Sequence, residues 1–451
     1  MKITAREAGW KYSDYNLFAH VPDSDLTAWV NTFSGGCSGF SEQEYQLIGK
    51  ILEYPEDHEY IQHYAKRGLI TNVDEKEVLR RKIEMDSSRE DVLSLTICPT
   101  LACNFNCPYC FENHYSGMMG QEVMDAIVAF TRRMLSRHPF RRLKILWFGG
   151  EPLLGLKNID SLSERLIEIA DEYQVKYHAE IVTNGYLLNK TAVDVLAKGR
   201  VSKCQITLDG LAAAHNKTRC LTNGQGTFDT IIHHLRSQIP FRIEIRHNIV
   251  HENQGEAEPL EKFIEELAKE SGNTISFYAS PVFESDAAKE RNSFVSLLKG
   301  EELSSLVYED AMDTFSRKSF CMCQAGRRYY VSLDPEGKIY ACPQAIGNPT
   351  EVTASIFDYD PDHGAQTALN PELHAYYSGT DNIFDLCGSC KFLPRCKGGC
   401  PYKRKKDGLQ CPEYKDNPDS YVLCIYRHLQ EIHEKQLSKT QPESKGSGSP
   451  V

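Results

Sequence analysis

CNFNCPYC, from Cys103 to Cys110, places three cysteines in eight residues, separated by three residues and then by two. A disulfide framework draws its thiols in pairs. A structural zinc site takes four ligands. Three thiolates that leave a position open are a different object. They suit a soft metal centre, and iron–sulfur clusters are held by cysteines. A cubane has four irons, so three protein ligands leave one iron able to bind a small chelating molecule and pass it an electron. The motif follows directly on VLSLTI (92–97), a strand candidate. It therefore lies in a loop at the C-terminal edge of a sheet, where α/β proteins place their chemistry. The alternative is a zinc site completed by His114 or by a distant cysteine.

Composition narrows the choice. The chain has 451 residues, enough for two or three domains. Its net charge of −11 argues against nucleic acid as a partner. No hydrophobic run approaches the ~20 residues that span a bilayer, so no membrane partner is expected. The opening MKITAREAGWKYSDYN lacks the apolar core of a signal peptide. The expected location is the cytoplasm, where thiols stay reduced. Sixteen cysteines there point to metal or cluster ligands, and nine of them crowd into 321–424.

Residues 1–90 hold one cysteine, Cys37. DLTAWVNTFSGG reads as a strand and turn, SEQEYQLIGKILEY as an amphipathic helix N-capped by Ser41, and RRKIEMDSSRED as a polar linker. From residue 91 strand and helix alternate. The strand candidates are 92–97, LKILWF (143–148), AEIVT (179–183), KCQITL (203–208), RIEIRHNIV (242–250) and TISFYASPV (274–282). Between them, residues 121–136 carry Val123, Ile127, Phe130 and Met134 at helical spacing. Six such units predict a parallel sheet and the α/β class; periodicity alone leaves an open sheet and a partial barrel as alternatives. LSKTQPESKGSGSPV (437–451) reads as a disordered tail.

The CxxxCx(aromatic)C pattern of Cys103, Cys107, Tyr109 and Cys110 resembles the radical SAM superfamily. The resemblance implies a partial (β/α)6 barrel over 91–315. It also implies a 4Fe–4S cluster on Cys103, Cys107 and Cys110 whose open iron binds S-adenosylmethionine (SAM). WFGGEP (147–152) is similar to the family's GGE motif, with Gly149, Gly150 and Glu151 toward the SAM amino group. TNG at 183–185 brings Thr183 and Asn184. TLDG at 207–210 with HNKTR at 215–219 brings Asp209 and Arg219, the latter toward the SAM carboxylate. Tyr109 completes the SAM-facing set. No residue is assigned as the catalytic acid or base.

The second cysteine field resembles the SPASM domain, over 316–436. CGSCKFLPRCKGGC sets Cys387, Cys390, Cys396 and Cys400 in the pattern CxxCxxxxxCxxxC. Such domains commonly hold two auxiliary 4Fe–4S clusters, which with the first makes three. The resemblance implies Cys323, Cys342 and Cys400 for one, and Cys387, Cys390, Cys396 and a late cysteine for the other. YVLCIYRHL makes Cys424 the preferred last ligand, with Cys411 as the alternative. Cys321 is either a fourth ligand to the first auxiliary cluster or spare; if spare, that cluster has an iron open to a substrate thiolate. Paired zinc ribbons are the competing reading. The basic run KRKK (403–406) reads as a solvated face.

SPASM-bearing radical SAM enzymes often act on peptides. Residues 1–90 resemble the small winged-helix-like, leader-binding (RRE-like) domain that precedes the barrel in radical SAM peptide maturases. The implied partners are a precursor peptide with a leader sequence and a reductant such as flavodoxin or ferredoxin. The implied activity is crosslinking, foremost a cysteine-to-carbon thioether. Carbon–carbon crosslinking and sulfatase-maturase-like oxidation of a Cys or Ser are the enzymatic alternatives; an iron–sulfur scaffold or electron carrier is the non-enzymatic one. Sulfatase maturases often have an acidic residue after the GxxxxC cysteine. Here Cys342 is followed by Pro343.

Overall fold

The computed structural model describes residues 9–53, 58–88, 90–282, 323–358, 376–377, 383–409 and 411–440. Cys321 and residues 441–451 lie outside them. The polypeptide opens with β1 (Lys11–Tyr12) and then a three-stranded antiparallel sheet, β2 (Asn16–His20), β3 (Leu26–Asn31) and β4 (Cys37–Ser41), with β3 in the middle. Helix α1 (Glu42–Ile48) begins at Ser41, as its sequence predicts. The Ser41 side chain accepts from the Glu44 N–H and the Glu44 carboxylate returns to the Ser41 N–H, a complete capping box. Then come α2 (His58–Arg67), β5 (Ile70–Thr71), which pairs with β1, and α3 (Glu75–Ser87).

Helix α3 corrects the linker reading of RRKIEMDSSRED, most of which is helical. Asp74 caps the helix through the Glu77 N–H, and Leu79 and Ile83, four residues apart, are buried. Their partners are Tyr15 and the distant Ile383, Phe384 and Leu393.

The main sheet has nine strands. Its first part is β6 (Val92–Ile97), β7 (Arg142–Trp147), β8 (Lys176–Thr183), β9 (Val201–Thr207), β10 (Arg242–Ile249) and β11 (Ile275–Pro281), all parallel and side by side in chain order. Helices α4 (Gln121–Arg137), α5 (Leu156–Glu172), α6 (Lys190–Lys198), α7 (Ala212–Thr218), α8 (Phe228–Leu235) and α9 (Ala257–Ser271) fill the crossovers. One strand face carries the core: Ile243 and Ile245 of β10 are buried with Leu260 and Ile264 of α9. The alternate residues Glu244, Arg246 and Asn248 share the other, more polar face.

The sheet continues beyond β6. Strand β12 (Tyr330–Leu333) runs parallel to β6, and β13 (Lys338–Tyr340) and β14 (Val352–Ser355) follow antiparallel. Flanked on both sides, β6 has all six residues buried. The hairpin that carries Cys342 at its end is thus hydrogen-bonded to the strand that launches Cys103.

The C-terminal part adds α10 (Ile383–Cys387), α11 (Leu393–Cys396), α12 (Pro401–Asp407) and α13 (Pro418–Thr440). Helix α13 runs four residues into the stretch expected to be disordered. It covers one face of the three-stranded sheet, where Tyr421, Val422 and Ile425 pack on Leu17 and Val30. A side chain at Gly39 would come within 2.4 Å of the Tyr426 hydroxyl oxygen. Among the described residues no helix is long and apolar enough to cross a membrane.

Candidate active site

The cysteine loop leaves β6 at Ile97 and is pinned at three places. The Met119 N–H returns to the Pro99 carbonyl at 2.8 Å. The Asn106 N–H donates to the Cys220 carbonyl and the Thr222 N–H to the Asn104 carbonyl, both at 3.1 Å, so the loop pairs with the segment after α7. On the third side it rests on Gly149 and Gly150. A Cβ at Gly149 would lie 2.3 Å from the Thr100 carbonyl oxygen, and one at Gly150 would lie 2.5 Å from those of Leu101 and Ala102. The two glycines are therefore required by the close approach of the cysteine loop itself. That requirement stands whatever they offer a ligand.

Glu151 is fully buried. Its carboxylate accepts from the Leu153 N–H at 2.9 Å, the Thr183 hydroxyl at 2.6 Å and the Asn184 N–H at 2.7 Å. Burial pushes its pKa up, and those three donors pull it back without cancelling the rise. Asn184 reaches on to the Asn104 side chain at 2.8 Å, between Cys103 and Cys107. Glu151, Thr183 and Asn184 thus join the ends of β7 and β8 to the cysteine loop.

A second network joins β9 and β10 to the same loop. The Tyr109 hydroxyl donates to the Asp209 carboxylate and accepts from the Arg219 guanidinium at 3.0 Å. Thr218 donates to the same Asp209 oxygen at 2.6 Å, and Asn248 of β10 lies 3.5 Å from the Tyr109 hydroxyl. Burial raises the Tyr109 pKa well above its ordinary value, so it stays a donor. Arg219 is held in turn through its backbone. The Asp209 N–H donates to His215 Nδ1, so the proton sits on Nε2, which faces the Thr227 hydroxyl at 3.0 Å; that hydroxyl donates to the Arg219 carbonyl. Thr218, Asn248, His215 and Thr227 were not singled out as site residues. Thr218 and His215 sit inside the HNKTR stretch, so their signal was present; Asn248 and Thr227 had none apart from position at strand and helix ends.

The three thiols are half-buried or buried. Burial lifts the Cys103 pKa, the charges of Glu151, Cys107 and Cys110 add to it, and the Phe105 N–H on its sulfur opposes. Such thiols become thiolates when a metal replaces the proton. Cys110 Sγ lies 3.5 Å from His114 Nε2. Among the described residues no three His, Cys, Asp or Glu side chains converge on a single ion. A cubane does not ask for that, because each thiolate takes its own iron. Two buried atoms in the adjoining network, Asp209 Oδ1 and Arg219 Nε, have no hydrogen-bond partner. An unmatched acceptor and donor beside three thiols fit a zwitterionic ligand on an open iron.

The later cysteines fall into two groups. Burial pushes the Cys342 thiol up to about 12, and Cys323 and Cys400 act on it in the same sense. In the other group burial raises Cys396 to about 11, and Cys387 and Cys390 contribute. Cys387 is raised by burial, Cys390 and Cys411, while Arg404 and Lys415 pull it down. Cys424 lies on α13, one turn past Tyr421. The KRKK run is not simply a solvated face: Arg404 is 6% exposed, and Lys405 pairs with Glu351 at 3.3 Å.

The parallel sheet and the thiol loop at its C-terminal edge define a radical SAM domain. Residues 97–278 match the Radical SAM superfamily, and the chain is similar to enzymes of that superfamily. It is similar to the cysteine-type anaerobic sulfatase-maturating enzyme of Clostridium perfringens, at 22% identity over 72% of this chain and 95% of that one. It is also similar to the radical SAM cyclopropyl synthase TigE of Paramaledivibacter caminithermalis, at 25% identity over 42% of this chain and 37% of that one. Among solved structures, native anSMEcpe with bound AdoMet and Cp18Cys peptide shares the fold, with a TM-score of 0.57, 20% identity, and coverage of 76% of this chain and 99% of that one. The family uses a 4Fe–4S cluster and SAM.

Proposed function

We propose that this enzyme modifies a ribosomally made precursor peptide in the cytoplasm. Its product would be a crosslink, foremost a thioether from a cysteine sulfur to a carbon. The observation that carries the reading is the N-terminal unit: β2–β3–β4 is a small sheet with β4 at its edge, next to α1. Such an edge can take a leader as an added strand, which is the winged-helix-like, leader-binding role assigned to residues 1–90. TigE and the anSMEcpe peptide complex, relatives that make a cyclopropyl group or bind a peptide, support a peptide substrate.

Cys103, Cys107 and Cys110 would hold the first cluster, and bound SAM supplies a 5′-deoxyadenosyl radical on reductive cleavage. Gly149, Gly150 and Glu151 would face its amino group, Thr183 and Asn184 its sulfonium or ribose side. Arg219, fixed by Tyr109 and through His215 and Thr227, would face its carboxylate. Cys323, Cys342 and Cys400 would hold one auxiliary cluster, with Cys321 as a fourth ligand or, if Cys321 is spare, with an iron open to a substrate thiolate. Cys387, Cys390 and Cys396 with Cys424 or Cys411 would hold the other. A flavodoxin or ferredoxin would deliver the electron.

Sulfatase-maturase-like oxidation is the second reading, favoured by the length of the match to the Clostridium perfringens enzyme. Pro343 stands against it, because it gives no base after Cys342. Co-expression with any small cysteine-containing reading frame found beside the gene, followed by mass spectrometry, separates the two. Loss of two hydrogens per crosslink with a thiol that no longer alkylates supports crosslinking. Exchange of sulfur for oxygen together with loss of two hydrogens at one cysteine, leaving an aldehyde, would establish the maturase reading instead.

A further inference from the structure

Arg404 is a buried cation placed between the two later cysteine groups. It follows Cys400 by one helical turn, its N–H bonded to the Cys400 carbonyl at 2.9 Å. Its guanidinium donates to the Gly398 carbonyl at 2.9 Å and the Tyr376 carbonyl at 3.1 Å, and lies 5.0 Å from the centre of the Tyr376 ring. Nε is buried with no hydrogen-bond partner. Among the described residues no carboxylate forms an ion pair with it. It lines a cavity of about 170 Å³ together with Cys323 of the first group, Cys396 of the second, and Tyr377. Its charge also acts on Cys387, where it opposes the rise caused by burial and by Cys390 and Cys411.

The surroundings hold the guanidinium in place. Gly398 has φ +77, and a Cβ there would meet Arg404 Nη1 at 2.9 Å and Ile383 at 2.4 Å. The glycine thus admits the cation to the space between Cys396 and Cys400. An oxidised cubane with four thiolates carries two negative charges. Two of them side by side repel, and each further electron adds to the repulsion. A cation fixed in a low-dielectric interior between them offsets both.

We propose that Arg404 is a positioning residue for the two auxiliary clusters, whose fixed charge raises their reduction potentials and lets them lie close together. This rests on the reading above that both cysteine groups hold cubanes.

The test uses the full chain, reconstituted anaerobically without peptide, with iron counting and a redox titration followed by paramagnetic resonance. In Arg404→Gln, iron stays at the wild-type level. The reduced-to-oxidised ratio of the auxiliary signal at the wild-type midpoint falls about tenfold, ~59 mV for a one-electron couple. Arg404→Lys recovers most of that shift. Lys405→Gln, which removes a neighbouring charge already paired with Glu351, leaves it where it was, and the cluster on Cys103 keeps its potential in all variants. Unchanged auxiliary midpoints in an iron-replete Arg404→Gln overturn the proposal. If Arg404→Gln sheds auxiliary iron, Arg404→Lys decides: retained iron with a near-native midpoint supports the role of charge, and equal loss overturns it. Wild-type protein with only about four irons would instead remove the cubane reading itself.

Discussion

The Arg219 guanidinium donates to the Tyr109 hydroxyl at 3.0 Å, and through that oxygen the cysteine loop is tied to a charge at the end of α7. Tyr109 is at the same time the donor to Asp209. One hydroxyl therefore bonds both an anion and a cation that are buried. Tyr109→Phe removes it and leaves Arg219 free to turn away. The expected loss is ~1.5 kcal/mol, or roughly tenfold in SAM affinity, with the first cluster's iron retained. Equilibrium binding of SAM to the reconstituted protein measures it. Unaltered affinity would show that Arg219 is held well enough by its backbone.

The glycines before Glu151 make a sharper demand. Gly150→Ala must move the Leu101 and Ala102 carbonyls, each 2.5 Å from the new carbon. Those carbonyls precede Cys103 directly, and the Ala102 carbonyl also accepts the Glu151 N–H at 2.9 Å. The expected cost is about 1–3 kcal/mol of stability, with loss of the first cluster but not of the iron bound by the later cysteines. Iron content and the paramagnetic signal of the reduced protein would report both.

His215 sets a pH dependence. It is fully buried, and burial with the charge of Arg219 holds its pKa well below the ordinary 6.5. In the unfolded chain it takes a proton near pH 6.5, and in the folded chain it does not. Its contribution is complete above that pH and is lost as pH falls below it, by up to about 1.4 kcal/mol per pH unit. His247, also lowered by burial, acts in the same direction. His215→Gln should therefore be less stable than wild type at pH 7.5 but lose less between pH 6.5 and 5.5. Denaturant unfolding of both proteins at each pH gives the difference; equal slopes would mean that His215 titrates normally.

Much of this arrangement was legible in the sequence, for a local reason. VLSLTI and the cysteines after it are a continuous apolar run followed by a loop, and the strand ends where the pattern stops, at Ile97. Gly149, Gly150, Thr183 and Asp209 each stand at the end of a β-period, so their shared edge follows from topology. The misreadings have a common cause. RRKIEMDSSRED is polar on average; its Met85 is exposed, and its Ile83, with Leu79 just before the stretch, finds its partners some 300 positions away, at Ile383 and Phe384. KRKK is a charge run in which Arg404 turns inward, because the carbonyls of Gly398 and Tyr376 wait there. Continuation of the barrel sheet into β12 and β13 was also invisible, since strand pairing across such a distance leaves no local mark.

The same long-range packing changes what removal of residues 1–90 would do. Tyr15, Phe33, Leu79 and Ile83 surround the segment that carries Cys387 and Cys390. Lys391 donates to the Asn16 carbonyl at 2.9 Å, and Arg80 lies 4.5 Å from the centre of the Phe384 ring. Deleting 1–90 should therefore cost one auxiliary cluster as well as processing of the precursor, while SAM cleavage at the first cluster continues. Iron counts near eight rather than twelve per chain, on the cubane geometry, are the expected result. A truncated protein with its full iron would show that the N-terminal unit covers the second group without supporting it.

The last prediction concerns which thiol closes that group. Cys411 acts on Cys387, but it is exposed and its sulfur already accepts from Lys415 at 3.3 Å. Cys424 is half-buried on α13, a helix held by Tyr421, Val422 and Ile425 against the N-terminal sheet. A ligand on a packed helix has little freedom left to lose on binding, whereas an exposed thiol on a short irregular segment must be ordered first. Cys424→Ser should therefore lose most of one auxiliary cluster and lower solubility, and Cys411→Ser should keep near-normal iron. The double variant should resemble Cys424→Ser alone. Normal iron in Cys424→Ser together with iron loss in Cys411→Ser would transfer the closing role to Cys411. Lys415 would then be a charge beside the cluster rather than a partner of a spare thiol.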